Sequence, residues 1–370
     1  MGGIKGLLSN GSPHCGAWSG QLIMREITFQ SLTRRSEIGA NCYVLDTGMA
    51  RIALDSGMHP KEKAFDAIPD FSLLEDGDLD AIVVSHSHLD HVGSLPVMMR
   101  RHQKAPAYMS PVTCDFADAL LHNSVNVMSS QREQDGIKEY PLFTHRELDG
   151  LTRRFLTRRP GQPFDIADTG VKAEFFDAGH LPGSVGMMLD IDGLKVFYTG
   201  DVHFEDQTVS RGAEFPTEHA DVLIMECTRG AVERAPGYSR QAESDRLADV
   251  ITRTMARGGS VLIPVFAIGK TQEILMMLHE LKGQGKVKAD IPVHIGGLSS
   301  KMTQIVDKHS NEGRRHHPGF RLLESMTGIV KSKKGERVTR CQAGRIYAVS
   351  SGMMSEYTVS NDLAHHFINQ

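Results

Sequence analysis

The eleven residues Ala81-Ile-Val-Val-Ser-His86-Ser-His88-Leu-Asp90-His91 restrict what this chain can fold into more than any other feature. Four apolar residues, three of them β-branched, form a strand that reads as buried, and polar ligand-type residues follow it directly. On a chain leaving such a strand, His86 and His88 are two positions apart and can address one cation from the same side. Asp90 and His91 open the next turn and can reach a second ion a few ångströms away. A lone histidine is ordinarily a satisfied core or surface residue. Three histidines around an aspartate within six residues have the density of a metal site.

The rest of the sequence sets the context. A length of 370 residues suits two compact units, and the 40% hydrophobic and 23% charged content is that of a soluble globular protein. No run approaches the roughly 18 apolar residues of a membrane span. Residues 1–23 mix Gly, Ser and polar side chains without the apolar core of an export signal, and are expected to be a disordered extension, with folding beginning near Met24. Cys15, Cys42, Cys114, Cys227 and Cys341 are odd in number and form no C-x-x-C pair, which points to free thiols in a reducing, cytoplasmic setting. A net charge of −4 argues against a general nucleic-acid binder. Yet residues 301–345 hold eleven Lys and Arg against four Asp and Glu, which is either a solvated face or a surface for phosphates.

Strand-like segments recur at 27–32, 41–45, 51–54, 81–84, 107–109, 171–176, 195–198 and 221–225, with helical spacing at 93–101 and 113–128. This half reads as α/β with much antiparallel character. After Cys227 the pattern alternates regularly. A helix at 242–255, a strand at 260–266 and a helix at 271–282 precede further elements at 291–295, 301–309 and 346–349. Such alternation implies a parallel sheet whose ligand crevice lies at the carboxyl ends of its strands. Gly269 and Lys270 fall between strand and helix, where free N–H groups and a cation suit a phosphate. Ser350, Ser351 and Gly352 follow the strand at 346–349 and offer hydroxyls and amides. Ordinary turns are the alternative at both places.

His86-Ser-His88-Leu-Asp90-His91 resembles the H-x-H-x-D-H motif of the metallo-β-lactamase superfamily, and the resemblance continues in chain order. Asp55 in Ala53-Leu-Asp55-Ser-Gly57, His180 in Ala178-Gly-His180-Leu-Pro-Gly-Ser184, and Asp201 in Tyr198-Thr-Gly-Asp201 match its other motifs. The resemblance implies an αββα sandwich holding two Zn2+. His86, His88 and His180 would hold the first ion and Asp90 and His91 the second, with Asp201 bridging them and Asp55 orienting a ligand. The paired ions would bring a bound water's pKa toward neutrality and so make a metal-bound hydroxide the nucleophile.

The fold alone covers lactams, thioesters, phosphodiesters and sulfates. Three further stretches resemble the β-CASP branch of the superfamily, whose members cut nucleic acids. These are Asp221-Val-Leu-Ile-Met-Glu226, Pro264-Val-Phe-Ala-Ile-Gly-Lys-Thr-Gln-Glu273 and Val349-Ser-Ser-Gly-Met353. The expected organisation is a lactamase-like domain over 24–226 and a β-CASP α/β domain over 227–370. β-CASP enzymes carry two more histidine motifs, which complete the second zinc and protonate the leaving group. Neither is visible before Gln370, and His365 and His366 read as ordinary helix residues, so the motifs are expected in a continuation of the chain. Glu226 would face one of those histidines. The expected activity is hydrolysis of RNA phosphodiesters, endonucleolytic or 5′–3′ exonucleolytic, with RNA as partner and a homodimer compatible with it. Rival readings are a hydrolase of a small ester, thioester or phosphodiester, and an inactive RNA-binding subunit.

Overall fold

The structure is a computed structural model that describes residues 27–35, 37–332, 341–351, 353–354 and 358–368. The expected extension at 1–23 and Gly352 lie outside the described residues. The fold is mixed α/β, and it divides into two compact units. One comprises the chain to Phe176 with Ser184–Asp201 and Phe215–Glu226; the other comprises Asp177–Gly183, Val202–Glu214 and the chain from Cys227. Segments of the two units thus alternate along the chain between residues 177 and 227.

The first unit contains two sheets. In the first sheet, β1 (Thr28–Ser31), β2 (Tyr43–Asp46), β3 (Arg51–Leu54), β4 (Ala81–Val83), β5 (Ala107–Met109) and β6 (Phe155–Thr157) lie in that order. β1 to β3 are antiparallel neighbours, and β3 to β6 run parallel. Parallel neighbours need crossovers. The helices α1 (Leu89–Val92) and α2 (Leu95–Arg101) make the one between β4 and β5, and α3 (Pro111–Asp135) and α4 (His145–Leu151) the one between β5 and β6. Crossovers are right-handed, so strands stepping one way across a sheet put these helices on the same face.

The second sheet has the order β11 (Val222–Ile224), β10 (Leu194–Tyr198), β9 (Val185–Ile191), β8 (Lys172–Asp177) and β7 (Phe164–Asp165). The two sheets share one apolar core. Leu45, Ile52, Leu54, Val83 and Tyr108 from the first cluster with Phe175, Val185, Met187, Leu189, Val196 and Tyr198 from the second. That sandwich leaves α1 to α4 for the outer face of the first sheet. It also fixes where the ends of β3, β4 and β10 emerge.

In the second unit the alternating pattern becomes a four-stranded sheet in the order β12 (Val261–Pro264), β15 (Ile346–Val349), β13 (Val293–Ile295) and β14 (Ile329–Lys331). Every pairing in it is parallel, as the alternation implies. The helices are α5 (Arg240–Ala256), α6 (Lys270–Gly283), α7 (Gly297–Lys308), α8 (Leu322–Ser325) and α9 (Val359–Ile368). His365 and His366 lie on α9. Four arginines of the cationic stretch at 301–345 are engaged inside this unit. Arg314 pairs with Glu214, Arg321 with Glu324, and Arg345 with the His294 ring, while buried Arg315 donates to the Val306 carbonyl.

Candidate metal centre

The site starts from β4, whose buried residues Ala81–Val83 fix the chain that leaves the strand at Ser85. His88 is the extended N-cap of α1, so the backbone changes from extended to helical inside the motif. His86 is fully buried, and its ring centroid lies 4.9 Å from that of His88 and 4.1 Å from that of His91. Gly57 lets the turn settle against β3. A Cβ there would lie 1.7 Å from the Asp90 carbonyl oxygen, so only glycine permits the approach.

Asp55 ends β3 with φ of +61° and is wholly buried. Its carboxylate collects four donors. Oδ1 accepts from the Ser85 amide at 2.7 Å, and Oδ2 accepts from Ser85 Oγ at 2.8 Å, Tyr198 OH at 2.6 Å and His91 Nδ1 at 2.8 Å. A carboxylate only accepts, so His91 Nδ1 carries a proton and its Nε2 is turned toward Asp201. The Ser85 hydroxyl already donates to Asp55, so at 3.1 Å it accepts from His86 Nδ1. His86 thus also presents Nε2. Burial alone would lower the pKa of His91, but the Asp55 and Asp201 carboxylates hold it well above the usual value.

Asp201 leaves β10 through Gly200, whose φ is +54° and whose Cβ would lie 2.6 Å from that of Ser85. One Asp201 oxygen lies 3.2 Å from His91 Nε2, and the other lies 3.8 Å from His86 Nε2. Asp90 approaches the same His91 nitrogen at 3.8 Å. His180 lies on the loop joining β8 to β9. His86, His88, His180 and Asp201 each offer a ligand atom, all within 4.8 Å of one another. Three imidazoles and a carboxylate match the donor chemistry of a borderline-soft divalent cation, so these residues fit the metal that the motif implies.

Other expected residues have places too. Glu226 leaves β11 two residues after the Tyr198–Ile224 pair, at the end of the sheet where Asp201 leaves β10. Gly269, with φ of +77°, caps α6, and Lys270 is the first residue of that helix. The Pro264–Val349 register puts them at the same carboxyl edge as Ser350 and Ser351. Lys270 Nζ donates to Gln207 Oε1 at 3.1 Å, and burial lowers its pKa.

Sequence reading missed Asn41 and Tyr198. The Asn41 amide meets His91 Nε2 at 2.9 Å and accepts from Tyr43 OH at 3.1 Å. These partners lie 50 and 143 residues from the groups they serve, so no local pattern reveals them.

The family model described as the Metallo-beta-lactamase superfamily matches residues 35–247. The chain belongs to the metallo-beta-lactamase superfamily. Among curated relatives, it is 30% identical over 271 residues to Cleavage and polyadenylation specificity factor 73 of Drosophila melanogaster. It is 33% identical over 259 residues to Endoribonuclease YSH1 of Saccharomyces cerevisiae, and 29% identical over 276 residues to the RNase J-like protein of Methanocaldococcus jannaschii. These matches cover 73%, 69% and 74% of this chain, but only 38%, 33% and 59% of the relatives. No described helix is long and apolar enough to cross a membrane.

Proposed function

We propose that this member of the metallo-beta-lactamase superfamily is a zinc-dependent ribonuclease of β-CASP type, with a lactamase-like part ending at Glu226 and a β-CASP part after it. The observation that carries this reading is Asp201, whose two carboxylate oxygens face different histidines, His91 and His86. A single carboxylate shared in this way suits two neighbouring cations. We assign His86, His88 and His180 to one zinc, Asp90 and His91 to the other, and Asp201 to both. When bound, the ions would acidify water near neutral pH and draw charge from phosphate oxygens.

The protein's own residues have defined tasks in this account. Asp55 fixes the tautomer and tilt of His91, and Ser85 fixes those of His86. Glu226 is proposed to orient a histidine that protonates the leaving group. Gly269, Lys270, Ser350, Ser351 and Gly352 are proposed to meet RNA phosphates at the carboxyl edge of the second unit's sheet. Relatives named as endoribonuclease and RNase J-like support RNA as the substrate. The thiols of Cys42, Cys227 and Cys341 suit a reducing compartment, and we place the protein in the cytoplasm, as a monomer or homodimer.

The test is hydrolysis by the zinc-loaded protein of a labelled RNA against a small thioester. Zinc-dependent RNA cleavage, lost in Asp201→Ala, is expected. Thioester turnover with RNA left intact would replace this reading with that of a small-molecule hydrolase.

A further inference from the structure

The loop that carries His180 is held by a segment with no recognisable motif. The carbonyls of three consecutive residues, Ala178, Gly179 and His180, all accept hydrogen bonds from residues 203 and 207. His203 N–H donates to Ala178 at 2.9 Å, and Gln207 Nε2 donates to Gly179 at 2.7 Å and to His180 at 3.1 Å. Gly179 has φ of +65°, and a Cβ there would lie 2.4 Å from the His203 carbonyl oxygen, so loop and segment are pressed together. Orienting the two peptides beside His180 fixes the direction of its Cα–Cβ bond, the vector from which its imidazole is aimed.

Helix α6 holds that segment in turn. Lys270 Nζ donates to Gln207 Oε1 at 3.1 Å. One turn later, the buried Glu273 carboxylate accepts from the amides of Thr208 at 2.5 Å and Val209 at 2.9 Å, while Arg240 donates to the same carboxylate at 3.0 Å. A lysine ammonium has only donors, so it requires the amide oxygen of Gln207 to face it and leaves the NH2 group for the two carbonyls. Lys270 therefore determines which way the Gln207 amide is turned.

We propose that Gln207 is a positioning residue for the metal ligand His180, and that Lys270 acts on the metal through Gln207. This rests on His180 being a ligand, as proposed above. It gives the Gly-Lys-x-x-Glu start of α6 a task separate from phosphate contact, since an ammonium bonded to Gln207 still has two other hydrogens.

The test reads zinc affinity of the purified full chain by competition with a chromophoric chelator, with circular dichroism as the fold control and His180→Ala as the reference. Gln207→Glu keeps an acceptor for Lys270 but can no longer donate to the carbonyls. It is expected to weaken the tighter zinc site about 10- to 100-fold, the usual effect of losing a group that orients a ligand. Lys270→Met should produce part of that loss and Lys270→Arg little of it. Lys270→Met should add nothing in a Gln207→Leu background, because the two act in series. If His180→Ala lowers zinc affinity and folded Gln207→Glu does not, the positioning role is wrong. If Lys270→Met weakens RNA binding and leaves zinc affinity unchanged, Lys270 does not act through Gln207. If His180→Ala itself leaves zinc affinity unchanged, the ligand assignment fails first. Should the Gln207 variants not fold, the Lys270→Met and Lys270→Arg pair decides the matter alone.

Discussion

Asp55 concentrates four donors on one buried carboxylate, and two of them, Ser85 Oγ and His91 Nδ1, determine how the imidazoles of His86 and His91 are presented. Asp55→Asn keeps the size of the side chain but replaces one acceptor oxygen with an NH2 group that must face other donors. Breaking a buried charged pair in this way costs about 3–5 kcal/mol. Urea unfolding should show a loss of that order, and the His91-side zinc should weaken about 10- to 100-fold in a chelator titration. Tyr198→Phe removes only one of the four donors. A hydrogen bond to a charged group is worth about 1.5–3 kcal/mol, so a loss at the lower end with full metal content is expected from the same two measurements.

The elements explain which parts of the architecture could be read early. β3 and β5 coincide with their sequence segments at 51–54 and 107–109, and β15 with 346–349, because each is a short apolar run whose residues are mostly buried. β9 was missed although it lies in the middle of the second sheet, since Gly186 and two methionines give Val185–Ile191 a weak strand signature. A Cβ at Gly186 would lie 3.0 Å from the Phe197 and Phe215 rings, so a larger residue there would require both rings to shift by a few tenths of an ångström. α4 was missed for the opposite reason. Its start carries a capping box, Thr144 with Glu147, but the helix buries only Leu148 and so lacks apolar periodicity. The metal motif was legible because His86, His88, Asp90 and His91 are local in the chain. Gln207 was not, because it meets His180 across 27 residues through backbone carbonyls, which any residue supplies. At this scale Gly57→Ala is the informative change. It pushes a methyl into the Asp90 carbonyl and the Asn41 amide, so β3 and the motif turn must separate. Overpacking of this kind costs about 3 kcal/mol or more where backbone is the obstacle. A lower urea midpoint together with loss of the His91-side zinc is expected, whereas normal zinc content would show that the turn tolerates the shift.

Across the whole molecule, the sandwich brings the ends of β3, β4 and β10 together, and it is from these ends that Asp55, the histidine motif and Asp201 emerge. A ligand that binds only the folded state stabilises it by mass action, so zinc should raise the thermal midpoint and a chelator should lower it, with a smaller shift in Asp201→Ala. The central claim is that one carboxylate is shared by two cations, and counting metal per chain tests it most directly. After zinc loading and removal of excess, elemental analysis of the wild-type chain should give about two equivalents, and Asp201→Ala about one or fewer. Less than about half an equivalent in the wild-type chain would contradict the account, because a preformed set of imidazole and carboxylate donors binds zinc strongly.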